Sequence, residues 1–245
     1  SKTTSGRSGG RAQRLIKRAA KPVINPCPPG QFGGMYKPLS QPDLENIFDT
    51  ALRLLSELGM GEIPNRLRQD LLTAGAQDGE AGRVVFPRSL TEDAIAKAAK
   101  TFVLHGRDET RSIQVGGSKV YFGTGGAAVQ TLDLDSGTYR PSTLADLHNF
   151  TRLQDTLANV SWYTRCCVAT DVPSNFDLDV NTAYALLLNT TKPTATSFTL
   201  AEYVAPIVKM LDIAAGGKGA FSKRPFMKAH ISPVISPMRY GEDAV

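Results

Sequence analysis

Cysteine is scarce in this sequence, with three in 245 residues. Three cysteines cannot build a disulfide framework, and the adjacent pair Cys166-Cys167 is poorly placed to bridge itself. Histidine is as scarce, and no Cys/His cluster has zinc-ligand spacing. Long apolar runs are missing too. The run Ala183-Tyr184-Ala185-Leu186-Leu187-Leu188 is of core length, far short of the ~20 residues that span a bilayer. There is no Gly-Lys-Ser/Thr phosphate loop and no Gly-x-Ser-x-Gly elbow. These absences set aside a disulfide-stapled secreted scaffold, a zinc enzyme, a helical membrane protein and the commonest nucleotide and hydrolase signatures. The expected setting is the cytoplasm, with no metal held by protein ligands.

Charge of one sign is missing from the body of the chain. The formal net charge is +5, but residues 1–21 hold seven Lys or Arg and no acid. Without them the balance is 21 basic against 23 acidic residues. A near-neutral body makes no electrostatic case for a nucleic-acid protein. The basic arm reads as solvated or as lying on a neighbouring subunit.

What is present is a change of texture along the chain. Residues 1–39 form a basic, Gly/Pro-rich arm in which Asn25-Pro26-Cys27-Pro28-Pro29-Gly30 and Gly33-Gly34 exclude regular structure. Residues 40–118 read as a helical α+β region. Ser40 and Asp43 form a capping box for a helix whose apolar face is Leu44, Ile47, Phe48, Ala51, Leu52, Leu55 and Leu58, stopped by Gly59. A second helix over 66–74 follows. A third over 89–100 has a box at Ser89 and Glu92. Three short strands come next, with a Gly116-Gly117 hairpin between the last two. Residues 119–245 then alternate strand and helix with a period of roughly 30 residues, the signature of parallel βα units. About four such units are present, and Pro237 reads as the first residue of a further helix. A closed (β/α)8 TIM barrel has eight units, so the expected fold is α/β, the first half of such a barrel.

Residues 121–128, Tyr-Phe-Gly-Thr-Gly-Gly-Ala-Ala, are the most informative stretch. A buried strand opens into a glycine turn, and strand pattern returns at Val129. No helix follows, so no helix N-terminus is presented to a phosphate. Gly123, Thr124, Gly125 and Gly126 read instead as a floor that something approaches closely.

Six stretches together resemble the trimethylamine methyltransferase family: Gly10-Arg11-Ala12, Tyr36-Lys37-Pro38-Leu39-Ser40, Leu104-His105-Gly106-Arg107-Asp108, Phe122-Gly123-Thr124-Gly125-Gly126-Ala127, Ser142-Thr143-Leu144-Ala145-Asp146-Leu147 and Asp177-Leu178-Asp179-Val180-Asn181-Thr182-Ala183-Tyr184. The resemblance runs from about Arg11 to the last residue. It implies a (β/α)8 barrel of roughly twice this length, a cytoplasmic oligomer and a role in one-carbon metabolism. The implied activity moves a methyl group from a methylated or quaternary amine to the Co(I) of a corrinoid (cobalamin), which a partner protein carries. This chain itself would bind no cofactor. The family's trimethylamine enzymes use pyrrolysine, at a position beyond these residues; most relatives resemble glycine betaine methyltransferases instead.

Such chemistry asks the protein to hold a bulky cation in line with the cobalt, exclude water and accommodate the departing amine. Aromatic faces suit the cation, and Arg, His or backbone N–H groups suit a betaine carboxylate. In a barrel the site lies at the C-terminal ends of the strands. There the candidates are Trp162, Tyr163 and Phe198 for the cation, Arg165 or His230 for a carboxylate, and Ser232 beside them. The glycine stretch would let the corrin ring or substrate come close. Trp162 and Tyr163 are adjacent in a strand, so at least one faces away from the interior. His105 reads as structural and His148 as an exposed helical residue. Asp177, Asp179 and Asp171 are a candidate acidic cluster, with placement at a helix N-terminus as the alternative for the first two. Two alternatives stand beside this reading: another TIM-barrel enzyme of lyase or aldolase type, resting on Lys228, or a non-catalytic binding protein on the same fold. Residues 1–245 alone are expected to be inactive and poorly folded.

Overall fold

Four strands run parallel and in chain order through the centre of the protein. A computed structural model describes residues 11–19 and 24–241. The N-terminal part comprises α1 (Arg11–Ala19), β1 (Gln31–Phe32), α2 (Gln41–Arg53), α3 (Asn65–Thr73), β2 (Gln77–Asp78), β3 (Val84–Val85) and α4 (Arg88–Lys97). Then come β4 (Thr101–Leu104), β5 (Ile113–Gly116), β6 (Lys119–Val120), β7 (Phe122–Gly123), β8 (Gln130–Leu132) and β9 (Tyr139–Pro141). The rest is α5 (Leu144–Thr156), β10 (Val160–Thr164), α6 (Asn175–Asn189), β11 (Thr194–Thr196), α7 (Val204–Ala214), α8 (Ala220–Lys223), β12 (Met227–Ala229), β13 (Val234–Ile235) and β14 (Arg239–Tyr240). The main sheet has the order β7-β10-β11-β12, every pair parallel. The fold is mixed α/β.

Register sorts the side chains of this sheet into two faces. Tyr163 pairs with Thr194 and Thr194 with Met227; Thr164 pairs with Ala195 and Ala195 with Lys228. Paired residues of neighbouring strands share a face, and successive residues alternate. The row containing Tyr163 and Met227 packs on the helices. There Leu147 of α5, Ala183 and Leu186 of α6, and Ile207 and Leu211 of α7 build the core with Tyr163, Phe226 and Met227. The row of Thr164 and Lys228, with Trp162 two residues before Thr164, looks the other way.

Local chemistry explains the helices of this half. Thr143 caps α5 and Asp146 closes the box, with Thr143 N–H donating to Asp146 at 2.9 Å. Asp146 also accepts two hydrogen bonds from Arg140 on β9 (2.6 and 2.9 Å), which ties the β8–β9 hairpin to the start of the helix. At the other end of α5, buried Lys192 donates to the Gln154 and Leu157 carbonyls (2.7 and 2.8 Å), adding a charged donor to the long bonds from the Leu157 and Val160 N–H groups (3.2 and 3.1 Å). Arg107 does the same for α6, donating to the carbonyls of Leu187 and Thr190. The 104–108 stretch is thus a clamp on a helix C-terminus.

Several sequence expectations are corrected. The arm carries α1 and β1, and β1 pairs antiparallel with β6 at Gln31–Val120 and Phe32–Lys119. A glycine-rich composition lowers helix and strand propensity, but a pairing partner elsewhere in the chain overrides it. The Gly116-Gly117 turn does not join a paired hairpin: β5 pairs with β4 and β6 with β1. Ser89 does not cap α4, which begins at Arg88 after Pro87; Glu92 pairs instead with Arg88. The α2 box forms as read, with both Ser40–Asp43 bonds present. Of its apolar stripe, however, only Leu52 is buried, and Leu44, Ile47 and Phe48 are exposed. No helix starts at Pro237. The chain turns into the antiparallel β13–β14 hairpin and returns to the N-terminal region, where Gly61 N–H donates to the Met238 carbonyl and Arg239 pairs with Glu62. His148 is half-buried and its Nδ1 lies 2.7 Å from the Asn189 side chain, joining α5 to α6.

Candidate substrate site at the rim of the parallel sheet

The C-terminal ends of the four parallel strands gather most of the candidate residues. The 124–127 loop is stitched to the end of β10. Thr124 Oγ1 donates to the Thr164 carbonyl at 2.6 Å and accepts from Thr164 N–H at 2.9 Å, a side chain standing in for a strand partner. Ala128 N–H donates to the Cys166 carbonyl, and Val168 N–H donates back to Ala128. Buried Ser142 closes the same seam, donating to the Ala128 and Val168 carbonyls at 3.1 and 2.6 Å.

A cavity of about 300 Å³ opens above this seam, lined by Thr124, Gly125, Gly126, Trp162, Arg165 and Lys228 among others. It adjoins a second, of about 430 Å³, lined by Phe198, Thr199, Ile231 and Ser232; Ser197 and His230 line both. Among the described residues no acidic side chain lines either cavity. Arg165 donates to Ser197 Oγ at 3.0 Å. Burial pulls the Arg165 pKa down, and the nearby carboxylate of Asp179 works against that shift. Asp179 itself is fully buried on α6 and accepts from the Thr199 N–H and hydroxyl at 2.6 and 2.8 Å, which fixes the loop after β11. His230 and Ser232 are exposed, and His230 N–H continues the ladder by donating to Thr196.

The aromatic candidates part company. Tyr163 is 0% exposed in the helix-side core, its hydroxyl 3.2 Å from Cys166 Sγ, and it lines neither rim cavity. Phe198 lines the second cavity while packing on the core. Trp162 lines the first, but its ring is already engaged. A Cβ built on Gly123 falls under 3.0 Å from the nearest indole atoms, so the Gly123 backbone and the ring are in close contact. Lys228 Nζ stands over the same ring, 4.8 Å from its centroid. Ala195, in the register row of Lys228 and on the strand between, is short enough to leave that approach open. The glycine floor is therefore of two kinds. Gly123 is approached by Trp162, whereas a Cβ at Gly125 or Gly126 would meet nothing within 4 Å.

Sequence reasoning placed Lys228 inside a strand and did not join it to Trp162. The signal was its spacing: Lys228 lies two residues before His230 and so shares its face. The three acids form no cluster. Asp171 accepts from the Leu144 N–H, Asp177 from the hydroxyl of its cap Ser174, and Asp179 from Thr199. Among the described residues no group of three His, Cys, Asp or Glu side chains is placed to hold a metal, and no helix is long and apolar enough to cross a membrane.

A strand-rim cavity with a glycine loop, aromatic side chains and two cations is a small-molecule site in form, and sequence comparison supplies the family. Residues 7–245 match the trimethylamine methyltransferase (MTTB) family, and the chain belongs to it. It is 28% identical over 202 residues to the trimethylamine methyltransferase MttB of Desulfitobacterium hafniense, an alignment covering 82% of this chain and 40% of that protein. The chain thus spans less than half the length of this curated relative.

Proposed function

We propose that this chain contributes one wall of a (β/α)8 barrel methyltransferase that takes a methyl group from a quaternary amine bearing a carboxylate, of the glycine betaine type. A separate protein would bring the corrinoid acceptor. The single observation that carries the substrate class is the charge of the rim: Arg165 and Lys228 line the cavity, with no acid among the described lining residues. A bare trimethylammonium ion would meet two cations at the cavity wall, only Arg165 having a carboxylate, that of buried Asp179, near it, whereas a carboxylate would find charge-assisted donors.

The barrel reading rests on the one-sided sheet. Among the described residues, α5, α6 and α7 build their core on the Tyr163 face, while a doubly wound sheet carries helices on both. The corrinoid reading rests on family membership and on the open floor at Gly125 and Gly126, where no side chain stands in the way of a flat macrocycle. Reduced cobalt supplies the nucleophile when the carrier is docked. The residues of this chain bind and orient the amine. Arg165, held by Ser197, receives the carboxylate, and Phe198 and Trp162 shield the methylated nitrogen from water. Cytoplasmic location accords with three free cysteines among the described residues.

Purified protein containing the whole proposed barrel, mixed with a reduced corrinoid carrier and glycine betaine, should release dimethylglycine, measured by mass spectrometry, and should act more slowly on trimethylamine. Release of dimethylamine from trimethylamine in preference would overturn the substrate class, and no demethylation of any quaternary amine would overturn the activity. Lys228 in the cavity supports a second reading, a lyase or aldolase working through a lysine imine. Borohydride trapping of a carbonyl compound on Lys228 would favour it.

A further inference from the structure

The described residues that line the rim cavities include no acid, yet one carboxylate stands directly behind the wall. Exposed Thr199 lines the cavity that holds Phe198, and its N–H and hydroxyl donate to Asp179 Oδ2 at 2.6 and 2.8 Å. We propose that Asp179 is the counter-charge of this site, a specificity-determining residue that favours a permanently cationic group beside Phe198 without touching it. The inference rests on the betaine reading above and deepens it.

Asp179 is poorly served as a scaffold residue. It is 0% exposed. Its Oδ2 is taken by Thr199, and its Oδ1 has no hydrogen-bond partner among the described residues, so no cation is bonded to either oxygen. Taking a carboxylate out of water is costly unless an ion pair or a full set of donors offsets it. Thr182, three residues further along α6 and 1% exposed, also has an unpartnered hydroxyl, but a hydroxyl brings no charge to set against the carboxylate. Arg165 gives its hydrogen bond to Ser197 instead. Burial lowers the Arg165 pKa, and Asp179 opposes that shift only as a charge acting from a distance. The negative charge is thus left without a bonded partner, beside a cavity whose proposed occupant brings a positive one.

The chemistry of that occupant explains why the carboxylate is set back. A quaternary ammonium has four carbons on nitrogen and no N–H, so it responds to a field but donates to no acceptor. A carboxylate on the cavity wall itself would favour a protonated primary amine, which can donate to it. Behind Thr199 the charge keeps its field, strengthened by the low-dielectric surroundings, and presents no acceptor to the ligand. The same charge works against a plain anion drawn in by Arg165 and Lys228. A zwitterion meets both demands, its carboxylate toward Arg165 and its methyl groups toward Phe198.

The test compares glycine betaine with the tert-butylacetate anion, which has the same shape with carbon in place of nitrogen. Isothermal titration calorimetry on purified protein containing the whole proposed barrel reads both affinities. Arg165 and Lys228 acting alone would favour tert-butylacetate, a net anion; with Asp179 in place the wild type should favour the betaine. Asp179→Asn keeps an acceptor for Thr199 and removes the charge. It should weaken betaine binding by about threefold to tenfold, the scale of one partly screened charge, and should tighten binding of tert-butylacetate. Thr199→Val loosens the same loop with the charge kept, and should change both affinities alike. An unchanged ratio of affinities in Asp179→Asn of native circular dichroism would overturn the inference and leave the betaine reading standing. Should that variant not fold, the wild type decides: tert-butylacetate bound as tightly as the betaine would overturn the inference. Binding of neither ligand by the wild type would overturn the betaine reading and the inference with it.

Discussion

The indole of Trp162 rests on the Cα of Gly123, two strands' side chains meeting where one of them has none. Trp162 is the single tryptophan of this sequence, so the tryptophan emission of these residues comes from this ring. Gly123→Ala places a methyl group inside the ring's volume. It should shift the emission maximum and cost about 1–3 kcal/mol, the range for overpacking a fitted site. Unchanged emission with an unchanged urea midpoint would mean the ring does not lie there.

The other contact of the indole is Lys228. Lys228→Met removes the resident cation and leaves the ring free for a ligand. Tetramethylammonium, followed by Trp162 quenching, should then bind up to about tenfold more tightly than to the wild type, within the range for a cation on an aromatic face. Weaker binding in the variant would show that Lys228 helps to form the seat.

Arg165→Ala tests the carboxylate end of the site. Loss of a charge-assisted hydrogen bond worth about 1.5–3 kcal/mol should raise KM for a betaine by roughly tenfold to a hundredfold. Trimethylamine, which has no carboxylate, should be affected little. Equal losses on both substrates would place Arg165 in the scaffold only.

Asp146 links acidity to stability. The Arg140 guanidinium, and then Thr143, hold its carboxyl well below the usual carboxylate range against the opposing effect of burial. The unfolded chain therefore takes up this proton first, at an Asp pKa of about 3.9. The stabilisation is present above that pH and is lost as pH falls below it toward the folded value. Asp146→Asn should cost about 2 kcal/mol at pH 7, as for hydrogen bonds to a charged group. The gap to wild type in urea melts should close as pH drops below about 4. A gap constant from pH 7 to pH 3 would contradict the pairing.

Lys192→Met removes the charged donor from the Gln154 and Leu157 carbonyls at the end of α5 and leaves each with a single long backbone bond (3.2 and 3.1 Å), in a place where Lys192 is buried. The expected loss is about 2 kcal/mol, with faster amide exchange in the last turn of α5. Exchange unchanged there would show that water already serves those carbonyls.

What the sequence by itself determined was whatever depends on near neighbours along the chain. The capping box at Ser40–Asp43 and the alternation of helix and strand after residue 142 are local in origin and present, whereas the same pattern at Ser89 and Glu92 forms no box because α4 begins one residue earlier, after Pro87. The Trp162-Tyr163 dipeptide already dictated that its two rings part to opposite faces. Only tertiary structure decided which one turned outward, because that depends on which face the helices cover. It also gave Gly123 to Trp162 rather than to a ligand, drew Lys228 over the indole across the short side chain of Ala195, paired β1 of the arm with β6, and folded the 234–240 segment back onto Gly61 as a hairpin. Each of these joins residues far apart in sequence, where no periodicity or propensity carries information and only packing and pairing across strands choose the partner.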